Sequence, residues 1–220
     1  MILRTCILWI YLATLAAAQS DHLEVVLVLD TGQNMIEPDR FITQGASPGI
    51  HELGSSDRAA VITFASGIKL NLELSNNSRE ISRAVGGAAR TSVARPGKQR
   101  LYDAIFMAIQ QFPATAEAGT KRVVAVITND VDRGSTHGPS ELIREAKTKG
   151  VAIWVFLIGN PYPNQLRQGN GYPTIPYPDV NLARNELRPV ALATGGDAFV
   201  KELNGYVLRQ VIVACKGENR

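Results

Sequence analysis

The stretch Val26 to Met35 reads VLVLDTGQNM, an apolar run that ends abruptly on Asp30-Thr31-Gly32. Two readings compete for it. The tripeptide could carry the catalytic carboxylate of an aspartic protease, a site that needs two such loops facing each other so that two carboxylates share one proton. Alternatively, the run is the first buried strand of an α/β fold and Asp30 is a ligand-facing carboxylate at its tip. The stretch alone does not choose between them, but its surroundings do.

Leu23 to Leu29 is almost wholly apolar and β-branched, too short for a helix and typical of a strand covered on both faces. Arg122 to Thr128 (RVVAVIT) and Val151 to Gly159 (VAIWVFLIG) repeat the signal. Between them, Pro139 to Lys149 begins on Pro and Ser, spaces its apolar residues as a helix does and stops at Gly150, which makes a strand, helix, strand unit with parallel strands. Ala59 to Ala65 and Ile68 to Leu74 flank the turn signal Ser66-Gly67 and predict a hairpin whose second strand is an antiparallel edge. Further helices are expected over Ser78 to Ala89, Leu101 to Phe112, Ala183 to Ala193 (with Pro189 in its middle) and Tyr206 to Ala214, and Gly195-Gly196 should turn the chain into a last strand. The fold expected is α/β, a doubly wound and mostly parallel central sheet with one antiparallel edge strand and helices on both faces. That architecture and the single Asp-Thr-Gly weigh against the protease, although a homodimer would supply a second loop.

The first residues stand apart from the fold. Arg4 precedes an apolar run from Cys6 that closes on Ala16-Ala17-Ala18, the pattern of a secretory signal peptide over residues 1–18 with cleavage near Ala18. The run is shorter than the ~20 apolar residues of a spanning helix and no comparable run follows, so the mature chain, 19–220, is expected to be exported to the periplasm or beyond with no membrane span. About 200 residues suit one domain. Losing Arg4 leaves 22 basic residues against 20 acidic ones, and the basic residues are scattered without interleaved aromatics, so nucleic acid is not an expected partner. With Cys6 in the signal, Cys215 is alone and no internal disulfide can form, which fits bacterial export better than a small disulfide scaffold.

In an open α/β sheet, ligands bind outside the carboxyl ends of the strands, where the strand order reverses. Asp30 ends the first strand and Asn129-Asp130 follow Thr128 at the end of a later one. If those strands are neighbours, their tips converge, with Arg95 to Arg100 (RPGKQR) as a third side. Oxygen side chains from three loops around one small volume are the arrangement that holds a divalent cation.

The order VLVLDTGQNM, SSDRAAVITFAS (Ser55 to Ser66), KQRLYDAIFMA (Lys98 to Ala108), RVVAVITNDVDRGS (Arg122 to Ser135), VAIWVFLIG and LRPVALATGGDAFV (Leu187 to Val200) resembles a von Willebrand factor type A domain, most closely those of secreted bacterial proteins. The resemblance covers nearly the whole mature chain. It implies an adhesion or interaction module, and in that family a magnesium or manganese ion often sits in an Asp-x-Ser-x-Ser loop completed by a later Thr and a later Asp. Carried over, the first Asp is Asp30, the two Ser positions hold Gly32 and Asn34, the Thr position falls at about Gln99 and the last Asp position at Asn129. Only Asp30 keeps the family's residue. Gly32 offers no side-chain oxygen and Asn129 is a neutral amide, a poor set for Mg²⁺, which prefers hard anionic oxygen. The expectation is therefore a site without a firmly bound metal or other cofactor, in which Asp30 hydrogen-bonds the facing loop with Asn34 and Asn129 as polar partners. A weak Mg or Ca site through Asp30, Asn34 and Asp130 is the alternative. No catalytic residue is assigned, and the partner is expected to be a protein.

Other features read as structural. Asp103 lies one turn into a helix, where a carboxylate suits the helix dipole. His22, His51 and His137 are dispersed and are expected to be solvated. No Gly-x-Gly-x-x-Gly follows the first strand, so no dinucleotide site is supported. Asn160 to Asp179, with its Tyr162-Pro163, Tyr172-Pro173 and Tyr177-Pro178 pairs, is too long for an ordinary connection and reads as an exposed loop suited to anchoring a partner.

Overall fold

The computed structural model describes residues 22–32, 49–90, 98–129, 131–158, 180–201 and 207–216 of the 220. The segment read as a signal peptide, the 160–179 loop, Asn34 and Asp130 lie outside the described residues.

Six strands form one sheet, β1 (His22–Asp30), β2 (Arg58–Phe64), β3 (Ile68–Ser75), β4 (Thr120–Thr128), β5 (Val151–Ile158) and β6 (Ala198–Lys201), in the spatial order β3-β2-β1-β4-β5-β6. Every pairing is parallel except β2 with β3, the hairpin expected around Ser66-Gly67. The five helices of the described residues are α1 (Ser78–Arg90), α2 (Leu101–Gln110), α3 (Pro139–Lys149), α4 (Val180–Ala193) and α5 (Val207–Lys216).

Alternation along the strands assigns the helices to two layers, because successive side chains leave opposite faces of the sheet. Leu23, Val25, Leu27 and Leu29 of β1 pack with Ile81 and Val85 of α1 and Val211 and Ile212 of α5. Val26 and Val28 face the other way, onto Leu101 and Ile105 of α2, Leu142 of α3 and Leu187 of α4. The doubly wound sheet is thus the fold expected from the segment pattern, and the strand order reverses between β1 and β4.

The helix ends follow local chemistry. Gly150 takes a left-handed φ of 64° and receives α3 into β5, as its position after Lys149 implied. At the end of α4, Gly195 is at φ 87°, and the Thr194 hydroxyl donates to Ala191 O (2.9 Å) while accepting from Ile153 N (3.1 Å). Pro189 is accommodated inside α4. Cys215 is fully buried in α5, where desolvation pushes its thiol up to about 12 and leaves it a core side chain rather than a surface one.

Two buried charge networks hold the amino ends of the strands. Glu24 and Arg122, both nearly inaccessible, pair at 3.2 Å, Arg58 also binds Glu24, and Arg122 donates to the carbonyls of Thr115 (2.8 Å) and Lys149 (3.2 Å). Asp57 accepts from Leu23 N and Gly54 N at 2.8 Å each and pairs with Lys216 of α5 at 2.8 Å. Burial alone would raise the Asp57 pKa, yet the Lys216 ammonium and the two amides outweigh it and hold the carboxyl below its ordinary value.

Gly196 approaches β5 so closely that a Cβ there would stand 1.9 Å from the Ile153 carbonyl oxygen. Backbone cannot rotate away as a side chain can. Gly196→Ala is therefore expected to destabilise the domain by about 3 kcal/mol in urea unfolding, more than an ordinary helix or loop Gly→Ala change.

Candidate functional site

The reversal of strand order places the carboxyl ends of β1 and β4 side by side, with Leu29 opposite Ile127 in the register. Asp30 and Asn129 are therefore neighbours, and both are buried. The carboxylate of Asp30, with no exposed surface, receives three donors: Thr128 Oγ1 to Oδ2 at 2.6 Å, Gly32 N to Oδ1 at 2.8 Å and Gln99 Nε2 to Oδ1 at 3.4 Å. A buried carboxylate needs this, since an unpaired one would be strongly unfavourable.

Gln99 reaches Asp30 because its backbone is clamped from both sides. Arg100 N donates to Ala65 O at the end of β2 (3.0 Å), and Arg133 N donates to Gln99 O (3.0 Å). Gly134 permits the second contact, since a Cβ there would lie 2.6 Å from Lys98 Cβ. Thr31 ties the tip of β1 to the same region, with its amide and hydroxyl both donating to Phe64 O (2.8 and 3.0 Å).

Of the residues singled out from sequence, the structure brings Asp30, Gly32, Gln99 and Asn129 to one place. Asp30 bonds the facing loop through Gln99, and its other described bonds come from Thr128 and Gly32, while Asn34 lies outside the described residues. Thr128 carries the shortest of the three, although in the sequence it stands only as the last residue of an apolar run. Its signal was available: it is the only hydroxyl in RVVAVIT and ends the strand that pairs with β1.

A second polar cluster adjoins the first. The Asp103 carboxylate, at the start of α2, accepts from His137 Nδ1 (2.7 Å), His137 N (3.0 Å), Thr136 N (3.0 Å) and Thr136 Oγ1 (3.1 Å) through Oδ1, and from Arg100 (2.7 and 3.0 Å) through Oδ2. Asp132 and Ser135 return the favour by capping α2: Tyr102 N donates to Asp132 Oδ1 (3.1 Å) and Asp103 N to Ser135 Oγ (2.9 Å), whose hydroxyl donates to Asp132 (2.5 Å). The orphan amides of the helix are thus capped from the loop that follows β4. Asp103 is structural, as expected, but it acts on that loop rather than on its own helix.

Two histidines depart from the solvated state expected of them. His137 bonds Asp103 and stacks on Phe106 with ring centroids 3.9 Å apart, and His22 bonds Thr120 Oγ1 at 2.9 Å. His51 is exposed. The sequence could not place His137, because its two partners lie more than 30 residues upstream.

The donor set does not suit a hard divalent cation. Gln99 presents an N–H to Asp30 where a metal site would present oxygen, and a flip of the amide would set Oε1 against the carboxylate. The same amide nitrogen stands 1.8 Å from where a Cβ on Gly32 would be, so the volume of a side chain at position 32 is already filled. Among the described residues, no group of three or more His, Cys, Asp or Glu side chains is placed to hold a metal ion. The mostly parallel sheet with helices on both faces is not the architecture of an aspartic protease.

Comparison with known proteins agrees with this architecture. The family model of the von Willebrand factor type A domain matches residues 24–177. The chain belongs to the von Willebrand factor type A family. Among solved structures, the domain is similar to the conserved hypothetical protein BatB of Bacteroides thetaiotaomicron (TM-score 0.64, 18% identity, covering 89% of this chain and 99% of that one). It is also similar to an aerotolerance-related membrane protein of Bacteroides fragilis (TM-score 0.62, 18% identity, 89% and 99%). A von Willebrand factor type A protein of Catenulispora acidiphila aligns at a TM-score of 0.56 and 15% identity, over 87% of this chain and 41% of that one. At these identities the likeness speaks for the fold alone. No curated protein matches the chain. Among the described residues, no helix is long and apolar enough to cross a membrane.

The Asp103 network sets an acid limit on this end of the domain. Burial would raise the pKa of Asp103, but the bonds from His137, Arg100 and Thr136 outweigh it and hold the carboxyl well below the usual range. A depressed native pKa stabilises the fold fully above the unfolded value near pH ~4, and that contribution drains away as pH falls below it. Asp103→Asn is expected to lose about 2–4 kcal/mol at pH 7 and to show a shallower decline in stability toward low pH than the wild type, by urea unfolding across the acid range. Some acid dependence should persist through Asp57.

Proposed function

We propose that this von Willebrand factor type A domain is an exported, non-enzymatic interaction module that docks a protein partner on the face at the carboxyl ends of β1 and β4, and does so without a bound metal. The family supports the interaction role. The single observation that carries the metal-free part is the donor set on Asp30, to which Thr128, Gly32 and Gln99 contribute among the described residues.

Catalysis finds little to work with here. Asp30 is wholly enclosed and saturated with donors, so it is poorly placed to take a proton from a substrate or to attack one. The neighbouring Asp103–His137 pair is spent on holding a loop to a helix. A degenerate adhesion site of this kind leaves recognition to shape and to the loops around the strand tips. Export rests on the apolar run before Gln19, read from sequence.

The alternative, a metal-dependent ligand site, draws on Asp30 and Asn129 lying together, and the two readings separate in one experiment. Mature protein immobilised as bait is expected to capture the same partner from a native extract in the presence of EDTA as in the presence of Mg²⁺ or Mn²⁺, by mass spectrometry of the eluate. Capture only with a divalent cation would establish the metal-dependent reading instead.

A further inference from the structure

Gly32 and Gln99 occupy two positions of the family's cation site, and the structure gives them a joint explanation. The Gln99 amide nitrogen lies 1.8 Å, and Cδ 2.9 Å, from the point where a Cβ on Gly32 would be, and Asp30 Oδ1 lies 3.0 Å from it. The glutamine side chain thus fills the space of the side chain that residue 32 lacks. From there its N–H group points at Asp30 Oδ1.

We infer that Gln99 is a built-in plug: its amide takes the place of the cation beside Asp30, and Gly32 is the residue that makes room for it. This rests on the metal-free half of the proposed function and supplies its cause. It does not depend on who the partner is.

The physical argument is one of charge and space. A divalent cation would need oxygen lone pairs from several sides, and the Gln99 contact offers it a proton of partial positive charge instead. Turning the amide over would bring Oε1 within reach of a cation, but in the absence of one that oxygen would face the carboxylate. The arrangement is therefore self-consistent only with the donor inward, and Gln99 Oε1 is left buried with no hydrogen-bond partner. Gln99 itself is only 7% exposed. The Nε2 to Oδ1 contact is long at 3.4 Å, so the space at Gly32 seats Gln99 as much as the bond does.

A glycine that exists to seat one side chain predicts strong non-additivity. Gly32→Ser alone pushes Gln99 off Asp30, and Gln99→Thr alone removes a donor and opens a gap. The double variant supplies hydroxyls in the vacated volume. In thermal unfolding, each single variant should lower Tm by at least about 4 °C, and the pair should recover a large part of the summed loss. If Gly32→Ser does not fold alone, folding of the double variant is itself the expected rescue. Additive losses, or a double variant that does not fold, overturn the pairing.

The cation is tested directly by Mn²⁺ titration, read by the loss of the free-ion paramagnetic resonance signal. Wild-type protein should leave Mn²⁺ free up to about 1 mM, the range of weak oxygen sites, and Gly32→Ser/Gln99→Thr/Asn129→Asp should take it up within that range. Uptake by the wild type, or none by a folded triple variant, would show that Gln99 is not what bars the ion. The metal-free partner capture proposed above can fail without touching this result, and this result can fail while capture in EDTA still succeeds.

Discussion

A carboxylate with no exposed surface must be given donors by the fold, and at the tip of β1 that requirement organises everything around it. Thr128 can reach Asp30 only because β1 and β4 are parallel neighbours in this register. Gly32 N can reach it only because the chain turns directly after Thr31, which is itself anchored to Phe64 of β2. Gln99 can reach it only because its backbone is held between Ala65 and Arg133. Three strands and two loops are thus fixed by one charge. The loop after β4 is then secured a second time, by Asp103, Thr136 and His137, to the helix that Gln99 precedes.

The amino ends of the strands solve a similar problem differently. There Glu24 is paid for by full charges, Arg122 and Arg58, rather than by neutral donors, and Asp57 by Lys216. Such pairs tolerate burial because the guanidinium of Arg122 also satisfies two carbonyls and stacks over Phe112 at 5.8 Å. The domain therefore has a charge-compensated end and an end where one negative charge is met chiefly by dipoles. The second is the end at which α/β sheets present their ligand sites.

The strands were legible because burial on both faces forces unbroken apolar runs, and the helices because Gly150 and Gly195 close them where the pattern stops. Adjacency of Asp30 and Asn129 was conditional on their two strands being neighbours, and the strand order supplies that condition. What was not legible depends on side chains meeting across long separations. Nothing in GQN or KQR says that the glutamine fills the space above the glycine 67 residues before it; that is a statement about packing, which periodicity does not contain. Thr128 was hidden by its own strand, where a threonine is also an ordinary β-branched residue. His137 is the reverse case, since a polar loop residue carries no mark of the buried carboxylate it will bind.

On the proposed function, enclosing Asp30 also moves recognition outward. In a site where a cation bridges protein and ligand, the carboxylate under the ion is effectively part of the contact surface, because the ion transmits its field and its geometry. Here the Asp30 charge ends on donors that are themselves buried, so a ligand at this edge meets what lies above them. Next to Gln99 along the chain stand the exposed Lys98 and the partly exposed Arg100, whose guanidinium bonds Asp103. Lys98 and Arg133 come from the two segments that the Arg133 N to Gln99 O bond holds together. The bond that holds the Gln99 backbone thus also joins the loop after β4 to the start of α2, and a change that loosened Gln99 would disturb that junction as well as the Asp30 pocket.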